Sequence, residues 1–189
     1  GVAPAAIRDA VRGFAVDRHR TELVLEADGV RWIDDSKATN AHAANAALTA
    51  FGSVVWIAGG LLKGVDPNPL VQRHAARLRG VVLVGVDRVA LREAFARHAP
   101  GVPVVEVDDT ETEVMLAAVR AAASFAQPGD VVLLAPAAAS MDQFIDYADR
   151  GRRFADAVRE WTGGSGGEDS AASPPAADPP PAGADPSAG

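Results

Sequence analysis

Only two lysines occur among the 18 basic residues of this 189-residue chain, and each stands in a segment able to do chemistry. Lys37 lies in Ile33-Asp34-Asp35-Ser36-Lys37-Ala38-Thr39-Asn40, a stretch holding two carboxylates, two hydroxyls, an ammonium and an amide. Lys63 lies in Ala58-Gly59-Gly60-Leu61-Leu62-Lys63-Gly64. Lysine is a compact charge on a flexible stem, whereas arginine is a wide planar fork. Two lysines kept at two strand ends therefore point to sites that a guanidinium would not fit. A genome-wide preference for arginine with two chance survivors accounts for the same count.

In the first segment Thr39 or Asn40 suits the N-cap of a helix starting near Ala41. Asp34 or Asp35 is well placed near that helix's positive end. Lys37 is not, unless an anion binds there, so an anion at the helix start beside Lys37 is the inference. The second segment resembles a phosphate cradle but departs from the Walker pattern, because Gly64 rather than Ser or Thr follows Lys63. Its glycines allow close backbone approach, which would let Lys63 reach a carboxylate or phosphate; a plain tight turn with an exposed lysine fits equally. A third segment, Ala135-Pro136-Ala137-Ala138-Ala139-Ser140-Met141-Asp142-Gln143-Phe144, is rich in small residues and leads into a helix. Ser140 with Gln143 reads as a capping box. Of Phe144 and Tyr147, one is expected in the core and the other against a ligand. Asp149-Arg150-Gly151-Arg152-Arg153 reads as a solvated helix face with local ion pairs. His42, His74 and His98 fall at helix-surface positions with no partner at metal-ligand spacing, so no metal site is expected.

These segments need a frame that brings them together. Residues 21–34 read as a β-hairpin turning at Asp28-Gly29. Apolar, β-branched runs follow at Val54–Ala58, Val81–Val84, Val104–Val107 and Val131–Ala135, as strands covered on both faces should be. Helical stretches near 41–50, 68–77, 88–98, 110–126 and 142–160 separate them. The fold class is therefore α/β, a Rossmann-like and mostly parallel sheet flanked by helices, with an N-terminal hairpin. In such sheets ligands gather beyond the carboxyl ends of the strands, where all three segments should emerge on one edge.

The net charge of −7 argues against a nucleic-acid partner. Four of the negative charges, Glu168, Asp169, Asp178 and Asp185, follow Trp161 in a Gly/Pro/Ala/Asp-rich stretch with almost nothing to bury. Residues 162–189 are expected to be a disordered tail. Cysteine is absent, which excludes disulfides and thiolate chemistry. No apolar run approaches the roughly 20 residues of a membrane span, and the N-terminus lacks signal-peptide order. A cytoplasmic monomer without membrane insertion is the expectation.

The Asp34-Asp35-Ser36-Lys37-Ala38-Thr39-Asn40 string resembles the signature opening the C-terminal domain of the D-glutamate-adding Mur ligases of peptidoglycan synthesis. So do Arg20 in His19-Arg20, the Gly59-Gly60-x-x-Lys63 turn, and Leu134 through Phe144 with Arg150-Gly151 after it. The likeness runs from about Arg18 to Trp161. Residues 1–17 resemble the end of the central domain, whose body, with its P-loop and magnesium-binding residues, is missing from this sequence.

The resemblance implies a concrete chemistry. Such ligases use ATP and Mg2+ to phosphorylate the carboxylate of UDP-N-acetylmuramoyl-L-alanine, and the amine of D-glutamate attacks the acyl phosphate. The C-terminal domain closes over the central one. Residue by residue, the family pattern puts Arg20 and Asp35 at the nucleotide and Lys37 at the phosphate and acceptor edge, the catalytic position. Thr39, Lys63, Ser140, Met141 (through its backbone) and Tyr147 fall where D-glutamate is held. Tyr147 departs from the phenylalanine frequent there. A lone fragment should not turn over ATP. Two other readings are a non-catalytic Rossmann-like module binding a small anion and the equivalent domain of a folylpolyglutamate-type ligase. The Asp-Ser-Lys-Ala-Thr-Asn string speaks against the latter.

Overall fold

The structure, a computed structural model, describes residues 18–107 and 113–165. The expectations for residues 1–17 and for residues 166–189 of the tail lie outside the described residues, while residues 162–165, expected to open the disordered tail, are instead the end of the last helix. Six strands form one sheet: β1 (Glu22–Ala27), β2 (Val30–Asp34), β3 (Val54–Gly59), β4 (Leu78–Val84), β5 (Val104–Glu106) and β6 (Val131–Leu134). Their spatial order is β1-β2-β6-β3-β4-β5. Only β1 runs antiparallel to its neighbour; the other pairings are parallel. The hairpin turns at Asp28-Gly29, both in the left-handed region that a tight turn requires.

Among the described residues five α-helices cover the sheet: α1 (Ala41–Thr49), α2 (Asn68–His74), α3 (Arg88–His98), α4 (Val114–Phe125) and α5 (Tyr147–Ser165). A 3-10 turn at Ala75–Arg77 follows α2. Strand β3 shows why two layers of helix are needed. All six of its residues are buried. Val54, Trp56 and Ala58 face a core shared with Ala44 and Leu48 of α1, Val71 of α2 and Phe95 of α3. Val55 and Ile57 face a second core built with Val119 of α4 and Phe154 and Val158 of α5. A strand with no solvent face has no reason to alternate polar and apolar residues.

The last helix starts five residues later than the sequence pattern places it. Asp142 cannot serve its start, because its carboxylate accepts the Val86 N–H at 3.1 Å. The N–H groups of Gln143 and Phe144 both turn back to the Ser140 carbonyl. Ser140 is thus a turn residue and not the N-cap of α5, a correction to the capping-box reading. Asp146 takes that part, accepting the Asp149 N–H at 2.7 Å. His74 is corrected too: it is 1% exposed, packed between α2 and α1, with Nε2 3.0 Å from Asn45 Oδ1.

At the amino ends of the strands, Asp130 ties three of them together. Its buried carboxylate accepts from Ser53 Oγ ahead of β3, from Arg79 Nε in β4 at 2.9 Å and from the Gln127 N–H at 2.8 Å. Burial pushes this carboxyl upward, but those donors together hold it below the ordinary carboxylate value. Its pKa is lower folded than unfolded, so its stabilisation is present above about pH 3.9. It is lost as the pH falls through the folded-state value. Asp130→Asn should lower the unfolding free energy by about 1–3 kcal/mol at neutral pH, with the gap to wild type closing in acid. Urea titrations at several pH values check this, and a pH-independent gap would mean the charge is immaterial.

Candidate active-site rim

Parallel strands leave the sheet at the same edge, and the strand order decides which loops are neighbours there. Strand β6 lies between β2 and β3. The segment after β6 therefore sits between the one carrying Lys37 and the one carrying Lys63. It bonds to both. The Ala137 N–H donates to the Ala38 carbonyl at 3.0 Å. On the other side Leu61 and Ala139 exchange backbone hydrogen bonds of 2.9 and 3.0 Å, and the Gly59 N–H donates to the Pro136 carbonyl. The Trp56 indole N–H reaches the Ala135 carbonyl at 2.8 Å from within the core.

The glycines of the second segment explain how closely these loops approach. Gly59 and Gly60 have φ of 116° and 127°, and a Cβ on either would strike the Val84 or the Ala139 carbonyl oxygen. Their bare faces are filled by neighbouring backbone, so the turn is a packing device and not a phosphate cradle. Lys63 itself is exposed, in the left-handed region at φ 54°.

Arg150 completes the joint. Read from local spacing it belongs to a solvated face; the structure corrects this, because it is 1% exposed. Its neighbours Arg152 and Arg153 do pair with Asp149 as the spacing predicts. The Arg150 guanidinium donates through Nε to Ser36 Oγ and through Nη2 to the Ser36 carbonyl, both at 2.9 Å. It also donates to the Ala138 carbonyl from both Nη atoms at 3.2 Å. Burial lowers its pKa to about 10, with Asp142 and Asp34 opposing. It stays charged at neutral pH and clamps the first segment to the third.

A chain whose residues 19–138 match one domain family can be placed. That family is described as the Mur ligase, glutamate ligase domain. The chain belongs to it.

Three relatives carry the name UDP-N-acetylmuramoylalanine–D-glutamate ligase. That of Leifsonia xyli is 62% identical over 176 residues, covering 93% of this chain and 34% of the relative. That of Streptomyces avermitilis is 59% identical, covering 84% and 34%. That of Mycobacterium tuberculosis is 52% identical, covering 84% and 38%. The chain spans about a third of the length of these relatives. Among solved structures, MurF of Acinetobacter baumannii overlays with a TM-score of 0.49 at 18% identity, covering 71% of this chain and 30% of that one, too loose a likeness to carry weight.

Within this Mur ligase domain the three segments that carry Lys37, Lys63 and Ser140 leave the same edge of the sheet. Asn40, and not Thr39, caps α1 by accepting the Ala43 N–H; Thr39 stays half-buried beside it. Lys37 is half-buried, its ammonium 5.6 Å from the centre of the Tyr147 ring. Asp35 is buried, and Arg20 is exposed. Burial pushes the Asp35 carboxyl above its ordinary value, opposed by the Thr21 N–H and the Arg20 charge. Ser140 is buried and Met141 is exposed at the outer lip. Phe144 packs on the α4–α5 core, which leaves Tyr147 facing Lys37.

Sequence reasoning singled out neither Arg150 nor Asp34 for what each does. Asp34 is buried beside His19, with Nδ1 and Oδ2 2.6 Å apart. Burial pushes Asp34 above its ordinary value, opposed chiefly by that imidazole and the Ser36 N–H. The signal for Arg150 was present only as the Arg150-Gly151 pair of the family pattern. Ligand atoms of His19, Glu22 and Asp34 lie within 4.8 Å of one another, the one grouping of metal-ligating types among the described residues. Two of these ligand atoms, His19 Nδ1 and Asp34 Oδ2, are already bonded to each other, and Glu22 accepts the His19 backbone N–H at 2.8 Å.

Proposed function

We propose that residues 18–161 are the C-terminal domain of an ATP-dependent ligase that joins D-glutamate to UDP-N-acetylmuramoyl-L-alanine through an acyl phosphate. In this reading residues 1–17 end the central domain and residues 162–189 follow the domain as a tail whose first four residues finish α5. The observation that carries it is the stitching of three motif loops onto one sheet edge by backbone bonds and by Arg150. The names of the relatives supply the substrate.

D-Glutamate is a dicarboxylate with an amine. Lys63, Thr39, Ser140 and the Met141 backbone would hold its carboxylates, which a charged ammonium, hydroxyls and N–H donors do well. Tyr147 would wall the site. Lys37 lies at the phosphate and acceptor edge, where its charge offsets negative charge growing on the phosphoryl oxygens. Held in this way, the amine is aimed at the acyl carbon, and orientation supplies much of the rate.

ATP would meet this domain at Arg20 and Asp35, one exposed cation and one buried carboxyl. The filled Gly59-Gly60 turn offers its phosphates no cradle. ATP supplies the phosphoryl group that activates the acceptor carboxylate, and its closest partners belong to the rest of the ligase. Among the residues described here the one candidate trio fits Mg2+ poorly, because this hard ion takes oxygen ligands while one member is an imidazole already bonded to the Asp34 carboxylate. Closure of the domain over its neighbour would exclude water from the acyl phosphate. No helix among the described residues is long and apolar enough to cross a membrane. We take a ligase with nucleotide substrates to act in the cytoplasm, as a monomer.

Phosphate release tests the reading. With ATP, UDP-N-acetylmuramoyl-L-alanine and D-glutamate, this chain joined to the preceding two thirds of a ligase should release phosphate. The chain alone should not. Turnover by the chain alone, or none by the joined protein, overturns it.

A further inference from the structure

His19 is a buried histidine that the ligase reading leaves without a task. It is 7% exposed, in the left-handed region at φ 64°, and Thr21 two residues on is left-handed as well, at φ 47°. Side chains other than glycine hold such conformations only where the surroundings dictate them. Here the backbone N–H, Nδ1 and the carbonyl of His19 are all engaged. Its N–H donates to Glu22 Oε2 at 2.8 Å, its Nδ1 lies 2.6 Å from Asp34 Oδ2, and its carbonyl accepts the Lys37 N–H at 3.1 Å. Asp34 spends its other oxygen on the Ser36 N–H at 2.8 Å. The Thr21 N–H donates to Asp35 Oδ1 at 3.2 Å. On the far side Gly151 makes room, because a Cβ there would strike both His19 Nδ1 and Asp34 Oδ2.

The ring has a second contact. It meets Tyr147 edge to face, centroids 6.4 Å apart and planes at 76°. The Lys37 ammonium lies over that same Tyr147 ring. His19 thus touches Lys37 at both ends, at the backbone through its carbonyl and at the ammonium through Tyr147. Arg20, adjacent to His19, is flanked by the two left-handed residues, so its direction follows from the same pinned backbone.

We propose that His19, held by Asp34, is a positioning residue that fixes Lys37 against Tyr147 and sets Arg20 at the same time, so that the phosphate edge and the nucleotide contact are kept in one register. The inference rests on the ligase reading for the roles of Lys37 and Arg20, while the geometric part stands apart from it. An apolar pair of similar volume would fill the space between β2 and α5 at least as stably, but it would leave Lys37 without its pin.

Two readouts on the full-length ligase carrying this chain test the proposal. His19→Ala removes the ring; His19→Asn keeps a polar atom at the Nδ1 position and tolerates the left-handed backbone. His19→Ala should lower kcat between about 10- and 100-fold, as misplacement by an ångström does, with a smaller change in KM for D-glutamate. His19→Asn should recover most of that loss. Hydrogen–deuterium exchange followed by mass spectrometry should show faster exchange in the peptide spanning residues 35–39 for His19→Ala and near-native protection for His19→Asn. Wild-type kcat in His19→Ala, or unchanged exchange at 35–39, overturns the proposal. If His19→Ala does not fold, Asp34→Ala, which frees the imidazole and keeps the His19 backbone, is read in the same two ways. A wild-type enzyme inactive with its three substrates would sink the ligase reading instead, and the exchange measurement would still decide whether His19 pins Lys37.

Discussion

In the ligase proposed to carry this chain, Arg150→Met should lower the unfolding free energy by about 3–5 kcal/mol and remove D-glutamate-dependent turnover. The guanidinium is fully buried and supplies donors to Ser36 Oγ, the Ser36 carbonyl and the Ala138 carbonyl. Methionine fills much of the volume but leaves three acceptors without donors, each costing about 1–3 kcal/mol when kept from water. Loss of one member of a buried charged network falls in the same range. Asp142 and Asp34, whose charges favour the protonated guanidinium, lose their counter-charge as well. Function fails for a second reason, because the clamp holds the Lys37 segment to the Ser140 segment. Arg150→Lys separates the two. A single ammonium keeps the charge without the planar fork, so it should recover part of the stability and little of the turnover. Urea unfolding and steady-state kinetics check both variants; an Arg150→Met protein as stable as wild type would show that the buried bonds contribute nothing.

Lys63→Ala is expected to raise the Michaelis constant for D-glutamate roughly 10- to 150-fold, while stability stays within about 0.5 kcal/mol of wild type. The kinetic figure follows from removing one charge-assisted hydrogen bond of about 1.5–3 kcal/mol. The stability figure follows from the exposure of Lys63. Since Lys63 is proposed to hold the substrate and not the reacting atoms, kcat should change little. Lys63→Arg should also bind poorly, because a wide fork replaces a point charge at the end of a left-handed turn. An unchanged Michaelis constant in Lys63→Ala would remove this lysine from the pocket.

Much of the fold was legible because its signals are local. The Asp28-Gly29 turn, the buried β-branched runs and the helix start at Asn40 depend on residues within one or two turns of chain. The candidate loops were legible for the same reason, as polar or glycine-rich segments leaving apolar strands. Three readings failed where a distant partner overrode a local one. Ser140 lost the capping role once Asp142 was drawn to Val86. His74 was drawn inward to Asn45. Arg150 sits in a helix turn of charged residues, and its acceptors Ser36 and Ala138 are 114 and 12 residues away. Spacing rules of three and four residues describe a helix surface and carry no information about what that surface faces.

By itself, then, the sequence determined the alternation of strands and helices, the edge at which the loops emerge and the residue types offered there, since each depends on short-range periodicity and on the shared direction of parallel strands. Only the tertiary structure decided that β6 enters between β2 and β3, that the Ser140 segment therefore touches both lysine segments, and that a buried arginine and a His19–Asp34 pair hold them in place. Strand order is settled by how two apolar faces pack against helices on both sides at once. That is a property of the whole core and is written in no single stretch of the chain.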